Sequence, residues 1–338
     1  MNSIYDKPFV PYEEMIDMMR KRGIVIENEA FAIESLKTYS YYTLLNGYKE
    51  TFRVSPQSDT FNAGTHFEDL YLVHTMDVSI GSIVLKYILY IEQALKSNLS
   101  YIIAKNYGVY TDPNVAVHLD PSDYLCRDHY SKRNKMRNNT LRHLSSILDI
   151  NNKSGYASPS LLHYFKHHNH IPPWILTTSL TLGEISRWYD ILNASDKNYV
   201  CASMLNVPSL DINARKEFLK KVLELLREFR NSTAHGSRTY LHIGDTQIPK
   251  RPLVSLSDGL VTSNEYNKSD SSKIGLHAVL GSIYILLSDH WLRREYVLDL
   301  TLFFMRYKDF DTSGMDIYEV LRLPSNFGDR LNKLFEKC

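Results

Sequence analysis

Apolar residues recur along this chain at intervals of three and four, the spacing that gathers side chains on one face of a helix. Nowhere do they alternate over a length that would make a convincing strand. Pro11 followed by YEEMIDMMRKRG predicts a first helix with Tyr12, Met15 and Met19 on one stripe, acids in its first turn, bases in its last and Gly23 as its stop. A second helix is expected from Glu29 to Thr38. From Phe67 to Tyr107 the helical period persists, with Ile83, Tyr87, Tyr90, Ile91, Leu95, Leu99 and Ile102 as expected core, and Gly108 closes the segment.

Ser122 to Asp149 reads as a helix that is basic in its middle and apolar toward Leu141, Leu144, Ile147 and Leu148, broken by Asn151–Ser160. Beyond Pro172, Pro173 and Trp174, Thr181–Leu192 and Asp196–Leu205 read as two short helices. From Asn213 a strongly amphipathic helix carries Phe218, Val222, Leu225, Leu226 and Phe229 on one face and ends in Arg230 to His235. Between Arg238 and Ser272 the chain turns polar, with Pro249 and Pro252, and an irregular insertion is expected there. Helical pattern resumes over Lys273–Phe304 and again over Phe327–Phe335. The expected fold is all-α: an N-terminal helical segment over 1–60, able to pack as part of one domain, and a helical domain over 61–338 that holds the insertion.

Composition sharpens this picture. With 338 residues, 43% hydrophobic and 23% charged, the bulk of the chain has the makings of a folded core. Only 14 Gly and 12 Pro stand against 24 Tyr, so turns are few and aromatic bodies with polar tips are many. Lys+Arg 39 against Asp+Glu 38 leaves a net charge of +1, so any surface for nucleic acid must be local. Cys126, Cys201 and Cys338 lie far apart without a CxxC, which excludes a disulfide framework or a cysteine zinc site and suits a reducing, cytoplasmic setting. Asp6, Lys7 and two prolines interrupt the N-terminal stretch where a secretory signal needs a continuous apolar run, so export by that route is not expected. The apolar stretches Ile83–Ile91 and Ala278–Leu287 fall short of the roughly 20 residues a bilayer requires, so no membrane partner is expected either.

No GxGxxG, GxxxxGK[ST] or GxSxG occurs, which removes the local signatures of nucleotide folds and hydrolase elbows. Three constellations remain. His163, His167, His168 and His170 crowd one segment, and His163 and His167 share a helix face, as metal ligands do. With histidines alone and prolines adjoining, a solvated loop is the competing reading. The second is a basic stripe, Arg127, Lys132, Arg133, Lys135, Arg137 and Arg142, opposed only by Asp128. It would hold RNA phosphates, with Tyr124 or Tyr130 stacking on unpaired bases, or it is the solvated face of a helix.

The third is Arg230-Asn231-Ser232-Thr233-Ala234-His235, an arginine and a histidine with four residues between them. When four to six intervening residues are allowed, chance supplies about two matches in a chain of this composition, and the other is Arg137 to His143, with five between. On a helix Asn231 and His235 lie one turn apart on one face, while Arg230 sits about 140° round and about 7.5 Å back. A histidine at a helix C-terminus feels the negative end of the dipole, which favours imidazolium and suits a phosphate group. The same residues could simply cap the helix.

Four ordered blocks narrow the choice. KPFVPYEEMIDMMRKRGIVI with YYTLLNGY, then LYLVHTMDVSIGSIVLKYILYIEQAL, then LLHYFKHHNHIPPWILTTSLTLGEIS, then LREFRNSTAHGSR resemble the bacterial abortive-infection Abi proteins of the AbiD/AbiF type, within the HEPN superfamily. The resemblance selects Arg230 and His235 over Arg137 and His143, and implies no metal at the histidine cluster. It departs at Gly236, where many relatives carry a second histidine, at Tyr240-Leu241, where they show Trp-Asn, and at Thr178, where an acid is frequent.

The resemblance implies an all-α HEPN core, a homodimer that brings two motifs to one cleft, and an endoribonuclease that needs neither metal nor cofactor. His235 would be the general acid or base, Arg230 the clamp on transition-state charge, and Asn231 the group that orients His235 or a phosphate oxygen. RNA supplies its own nucleophile in the 2′-OH, so acid–base help and charge stabilisation suffice. Likeness of the AbiF branch to RNA-guided type VI CRISPR nucleases adds a small structured non-coding RNA as partner or antitoxin. Its expected docking surface is the basic stripe together with Arg238 and the loop that follows. The expected function is a toxin-like ribonuclease of phage defence; the alternatives are an inactive RNA-binding protein and a phage-sensing interaction module.

Overall fold

The structure, a computed structural model, describes residues 7–109, 121–148, 158–205 and 207–337. Helix α1 (Tyr12–Lys21) ends as its sequence prescribes: Gly23, at φ +91°, lets its own N–H reach Arg20 O and that of Ile24 reach Met19 O, which satisfies the last carbonyls. Ile16 and Met19 are buried while Tyr12 lies at the rim. Asn28 caps α2 (Glu29–Tyr39), and after a π-helical turn at Tyr42–Asn46 comes α3 (Gly47–Phe52). Backbone bonds from Val25 N to Thr65 O and from Phe67 N to Val25 O tie this segment to the next helix, and its Leu44, Leu45 and Phe52 belong to the common core.

That next helix, α4 (Phe67–Tyr107), runs 41 residues and is the axis of the molecule. By length and apolar composition it is the one helix among the described residues able to cross a membrane. It is packed about by neighbouring helices, and Ile80, Val84, Tyr87, Ile91, Leu95 and Leu99 are fully buried, the position of a core helix. Of the expected core residues Tyr90 stands apart, exposed beside Tyr87.

The expected helix over Ser122–Asp149 is shorter. Only α5 (Arg137–Leu148) forms; Arg127–His129 is a single 3₁₀ turn and Ser131–Met136 is a series of turns. The reason is local: Asn134 Oδ1 accepts the N–H of Met136, and Asn134 Nδ2 donates to Asp190 O, so the side chain competes with helical bonds. The end of that expectation at Asp149, most of the Asn151–Ser160 break and Cys338 lie outside the described residues.

Helices α6 (Pro159–His167), α7 (Pro173–Leu176), α8 (Leu182–Ile191), α9 (Ala194–Met204) and α10 (Ile212–Ala234) follow, each opened by a capping or proline residue. Helices α7, α8, α9 and α10 pack on α4. Gly183 in α8 lets the stem of Arg227 from α10 lie across it; a Cβ there would stand 3.1 Å from Arg227 Cδ.

The segment 238–272 is not irregular throughout. It holds α11 (Lys250–Leu256), α12 (Ser263–Lys268) and α13 (Ser271–Ile274), with a Thr262/Glu265 capping box at α12. Short polar helices leave little apolar periodicity to read. The pattern over Lys273–Phe304 splits into α14 (Leu276–Leu286), buried on all sides, and α15 (His290–Arg306), because Asp289 accepts the N–H of Leu292 and starts a new helix. A two-stranded hairpin, β1 (Asp311–Thr312) and β2 (Met315–Asp316), turns at Ser313 and Gly314, both at positive φ. Then α16 (Ile317–Leu321) leads to α17 (Phe327–Lys337). Arg330 of α17 grips Glu265 of α12 with both guanidinium nitrogens and also donates to Leu260 O. The fold is all-α apart from that hairpin.

Candidate active site at the end of helix α10

The apolar face of α10 buries Phe218, Leu219, Val222, Leu223, Leu225, Leu226 and Phe229, so the opposite face, with Asn231 and His235, faces outward. His235 is the C-cap. Gly236, at φ +70°, then reverses the chain: its N–H bonds Thr233 O at 3.0 Å and that of Ser237 bonds Ser232 O at 2.9 Å. This closed turn fixes where the imidazole leaves the backbone. The His235 ring is exposed and bonds no other side chain among the described residues. Gly236 therefore has a structural reason of its own, since a histidine at that position would carry the left-handed strain.

Arg230 leaves the backbone about 140° round the helix from His235. Its Nη1 donates to Asn231 Oδ1 at 3.4 Å, a long bond, while its Nε is buried without a partner. Asn231 thus sits between the arginine and the histidine, with its backbone carbonyl accepting the N–H of His235 at 3.1 Å.

Behind the motif lies a buried clamp. Asp77, in mid-α4, accepts the N–H of Thr239 at 3.0 Å and of Tyr240 at 2.9 Å, and the hydroxyl of Tyr48 at 3.0 Å. Burial pushes its carboxyl up to about 6, against the pull of those three donors. Because the Tyr48 hydroxyl gives its proton to Asp77, its oxygen accepts from His74 Nδ1 at 3.1 Å, which assigns the tautomer of His74. Burial also lowers the pKa of His74 and keeps it neutral. Tyr240 stacks on Tyr48 and its hydroxyl meets Thr51 Oγ1 at 2.6 Å. Gly81, one turn along α4, admits the same loop: a Cβ there would stand 2.7 Å from Thr239 Oγ1 and 3.1 Å from Thr233 Cγ2.

Periodicity hid Asp77, His74 and Gly81 inside a stretch read as core, and Tyr48 lay in a block read only for its resemblance. The available signal was a carboxylate in the middle of an apolar helix, which requires buried donors. His242 was missed as well. It lines a shallow depression with Glu228, Ser232, Ser237 and Arg238, lies edge-on to Phe229, and has its Nε2 buried without a partner.

The second arginine–histidine pair is differently placed. His143 Nε2 bonds Glu184 Oε1 at 2.6 Å, and Glu184 in turn caps α8 by accepting the N–H and hydroxyl of Thr181. Burial works to raise the Glu184 carboxyl, but the bonds from Thr181 and His143 outweigh it and hold it below the usual range. Arg137 turns away to Asn138 and to Arg127 O.

The six cations of the basic stripe do not form one face. Arg127 is on the 3₁₀ turn, Lys132, Arg133 and Lys135 on the turns after it, Arg137 and Arg142 on α5. Lys132 and Arg133 line a common groove. Arg238 faces Glu50 at 3.3 Å across the loop from α3. Tyr124 and Tyr130 are buried, the first donating to Ile171 O and the second to Tyr124 O while accepting from Trp188 Nε1. They are core residues and cannot stack on bases. His163 and His167 have ring centroids 4.6 Å apart on exposed α6, and no group of three or more His, Cys, Asp or Glu among the described residues is placed to hold a metal ion.

No curated protein and no solved structure matches the chain. The family model of the Abi-like protein matches residues 34–241, from within α2 to the loop that Asp77 holds. That span takes in Arg230, His235 and the clamp behind them, and covers more than half of the 338 residues, so the chain belongs to the Abi-like protein family.

Proposed function

We propose that this protein is a metal-independent endoribonuclease of the HEPN type, of the AbiD/AbiF kind, acting in abortive infection. The observation that carries the reading is the contrast between the two arginine–histidine pairs. His143 is consumed by Glu184, whereas His235 stands exposed at the end of α10, one turn after Asn231, to which Arg230 bonds. An exposed imidazole at a helix C-terminus is able to take the proton from a 2′-OH or return one to the leaving 5′ oxygen. Arg230, its guanidinium held only by a long bond, is available to a phosphorane oxygen. Asn231, whose side chain bonds Arg230, would orient that guanidinium or a phosphate oxygen.

The mechanism forms a bond from the 2′ oxygen to phosphorus and breaks the bond to the 5′ oxygen, leaving a 2′,3′-cyclic phosphate and a 5′-hydroxyl. Arg230 and His235 leave the helix in different directions, and a second copy of the chain facing the first would bring the complementary groups together. We therefore infer a homodimer, with a small structured RNA as the controlling partner.

The test is cleavage of end-labelled total RNA in EDTA by salt-stripped protein, wild type beside His235→Ala and His143→Ala. Cleavage lost only in His235→Ala supports the reading. Equal cleavage by all three, or 3′-hydroxyl products, overturns it.

A further inference from the structure

The turns that replaced the expected helix bring two cations of the stripe to three that lie far off in sequence. Lys132 and Arg133 form one wall of a groove whose other wall is Lys197 of α9 with Lys216 and Lys220 of α10. Two acids share the lining, Asp190 and Glu217. Asp190 is occupied: its carboxylate holds Lys220 at 2.9 Å, and its backbone oxygen accepts from Lys197 at 2.7 Å. Lys132, Arg133 and Lys216 have no ion pair among the described residues. With five cations against two acids, the groove lining is a local excess of positive charge in a chain whose net charge is only +1.

One lysine of the groove is partly withdrawn from water. Lys197 is half-buried with its ammonium 5.4 Å from the Tyr189 ring. Its pKa is lowered by burial, with Lys220 and Lys216 adding to the effect against Asp190. An anion in the groove would relieve that repulsion.

We propose that this groove holds the phosphodiester backbone of RNA, at a site separate from the cleavage motif. The inference rests on the RNA reading above and adds where the strand is gripped. Lys220 and His235 lie on the same helix, 15 residues and hence about 22 Å apart along its axis. A strand held at the groove can reach the motif along α10. The groove shares Tyr189, Asp190 and Lys220 with a second depression that passes Arg187 and Arg227 and ends at Glu228, which also lines the depression beside Ser232 and Ser237. Of the carboxylates on that path, Glu224 faces Lys221 and Glu228 accepts from the N–H of Asp245 and the hydroxyl of Thr246, while Asp245 adds a carboxylate to the lining.

The test uses the full chain carrying His235→Ala, so that RNA survives, with and without Lys132→Gln, Arg133→Gln and Lys216→Gln together. Binding of a labelled unstructured oligouridylate and of a labelled hairpin RNA is measured across a salt series. Loss of three phosphate contacts should flatten the slope of log affinity against log salt by about 2. In the chain with intact His235, the three changes should raise KM and leave kcat in place. If the parent binds RNA and the triple variant matches it in affinity and slope, the groove proposal falls and the nuclease reading stands. If the parent does not bind RNA and the chain with intact His235 does not cut it, the nuclease reading falls and takes the assignment of the groove to RNA with it.

Discussion

Asp77 accepts the backbone N–H of Tyr240 at 2.9 Å across 163 positions of sequence. With the matching bond from Thr239, the central helix α4 thereby fixes the path of the chain four residues after His235. The carboxylate has no solvent to fall back on, and neither do the two amides it holds.

Removing that carboxylate should loosen the loop before it disturbs the rest. Asp77→Ala leaves two buried amides and the Tyr48 hydroxyl without acceptors, a loss of about 3 kcal/mol. Asp77→Asn keeps an acceptor for the amides and should lose clearly less. Thermal denaturation measures both; equal losses in the two variants would remove the clamp from the account.

The same residue sets a pH dependence whose sign is unusual for an aspartate. Its carboxyl is held near about 6 by burial, above the 3.8 of the free group, so the folded state binds the proton more tightly than the unfolded one. Its contribution to stability is full below pH 4 and is lost as pH rises to 6, by at most about 3 kcal/mol. Glu265 works the other way: its carboxyl is held at about 2 by Arg330 and the Thr262 cap, against burial, so its contribution holds above 4.5 and is lost in stronger acid. Asp77→Asn should therefore lose the downward trend between pH 4 and 6 that the wild type shows. Parallel stability curves for the two proteins over that interval would count against a raised Asp77.

Much of this architecture was legible in the order of apolar residues. The bounds of α4 and the buried face of α10 follow from periodicity because long helices repeat the signal many times. The turns at 131–136 and the helices over 250–274 did not, because single side chains such as Asn134 and Thr262 decide them. At the motif, sequence spacing could not separate Arg230 and His235 from Arg137 and His143, since spacing does not record what each ring touches. Glu184 lies 41 positions from His143, a pairing that only tertiary structure creates. The basic stripe misled for a related reason: charges that are neighbours in sequence diverge on turns, and the cations that join Lys132 and Arg133 come from α9 and α10.

Close approach of α4 to the post-motif loop makes Gly81 sensitive. Alanine is the better helix former by about 1 kcal/mol, yet its methyl would press on the Thr239 hydroxyl, which is bonded to Thr233 Oγ1 at 3.1 Å. Gly81→Ala should destabilise the protein, and Thr239→Ala placed in the same chain should recover part of the loss. The coupling between the two sites is expected to be about 1 kcal/mol. Simple additivity in a double-mutant cycle would show that the two residues do not meet.

Gly236 provides a separate test of how the helix end places His235. A Cβ there would meet no atom within 4 Å, so the only obstacle to a side chain is the backbone at φ +70°. Gly236→Ala should therefore cost about 1 kcal/mol, and Gly236→Asn less, because asparagine tolerates the left-handed region. Gly236→His, which installs the second histidine suggested by the resemblance, should fold with a loss similar to that of alanine. If instead the alanine and histidine variants were as stable as the wild type, the closed turn at Ser232–Ser237 would not be what holds the imidazole of His235 in place. Cleavage in the alanine variant then decides whether that turn matters for chemistry: strain that leaves the turn closed should leave His235 competent, whereas a turn that reopens to relieve it should lower kcat more than it raises KM.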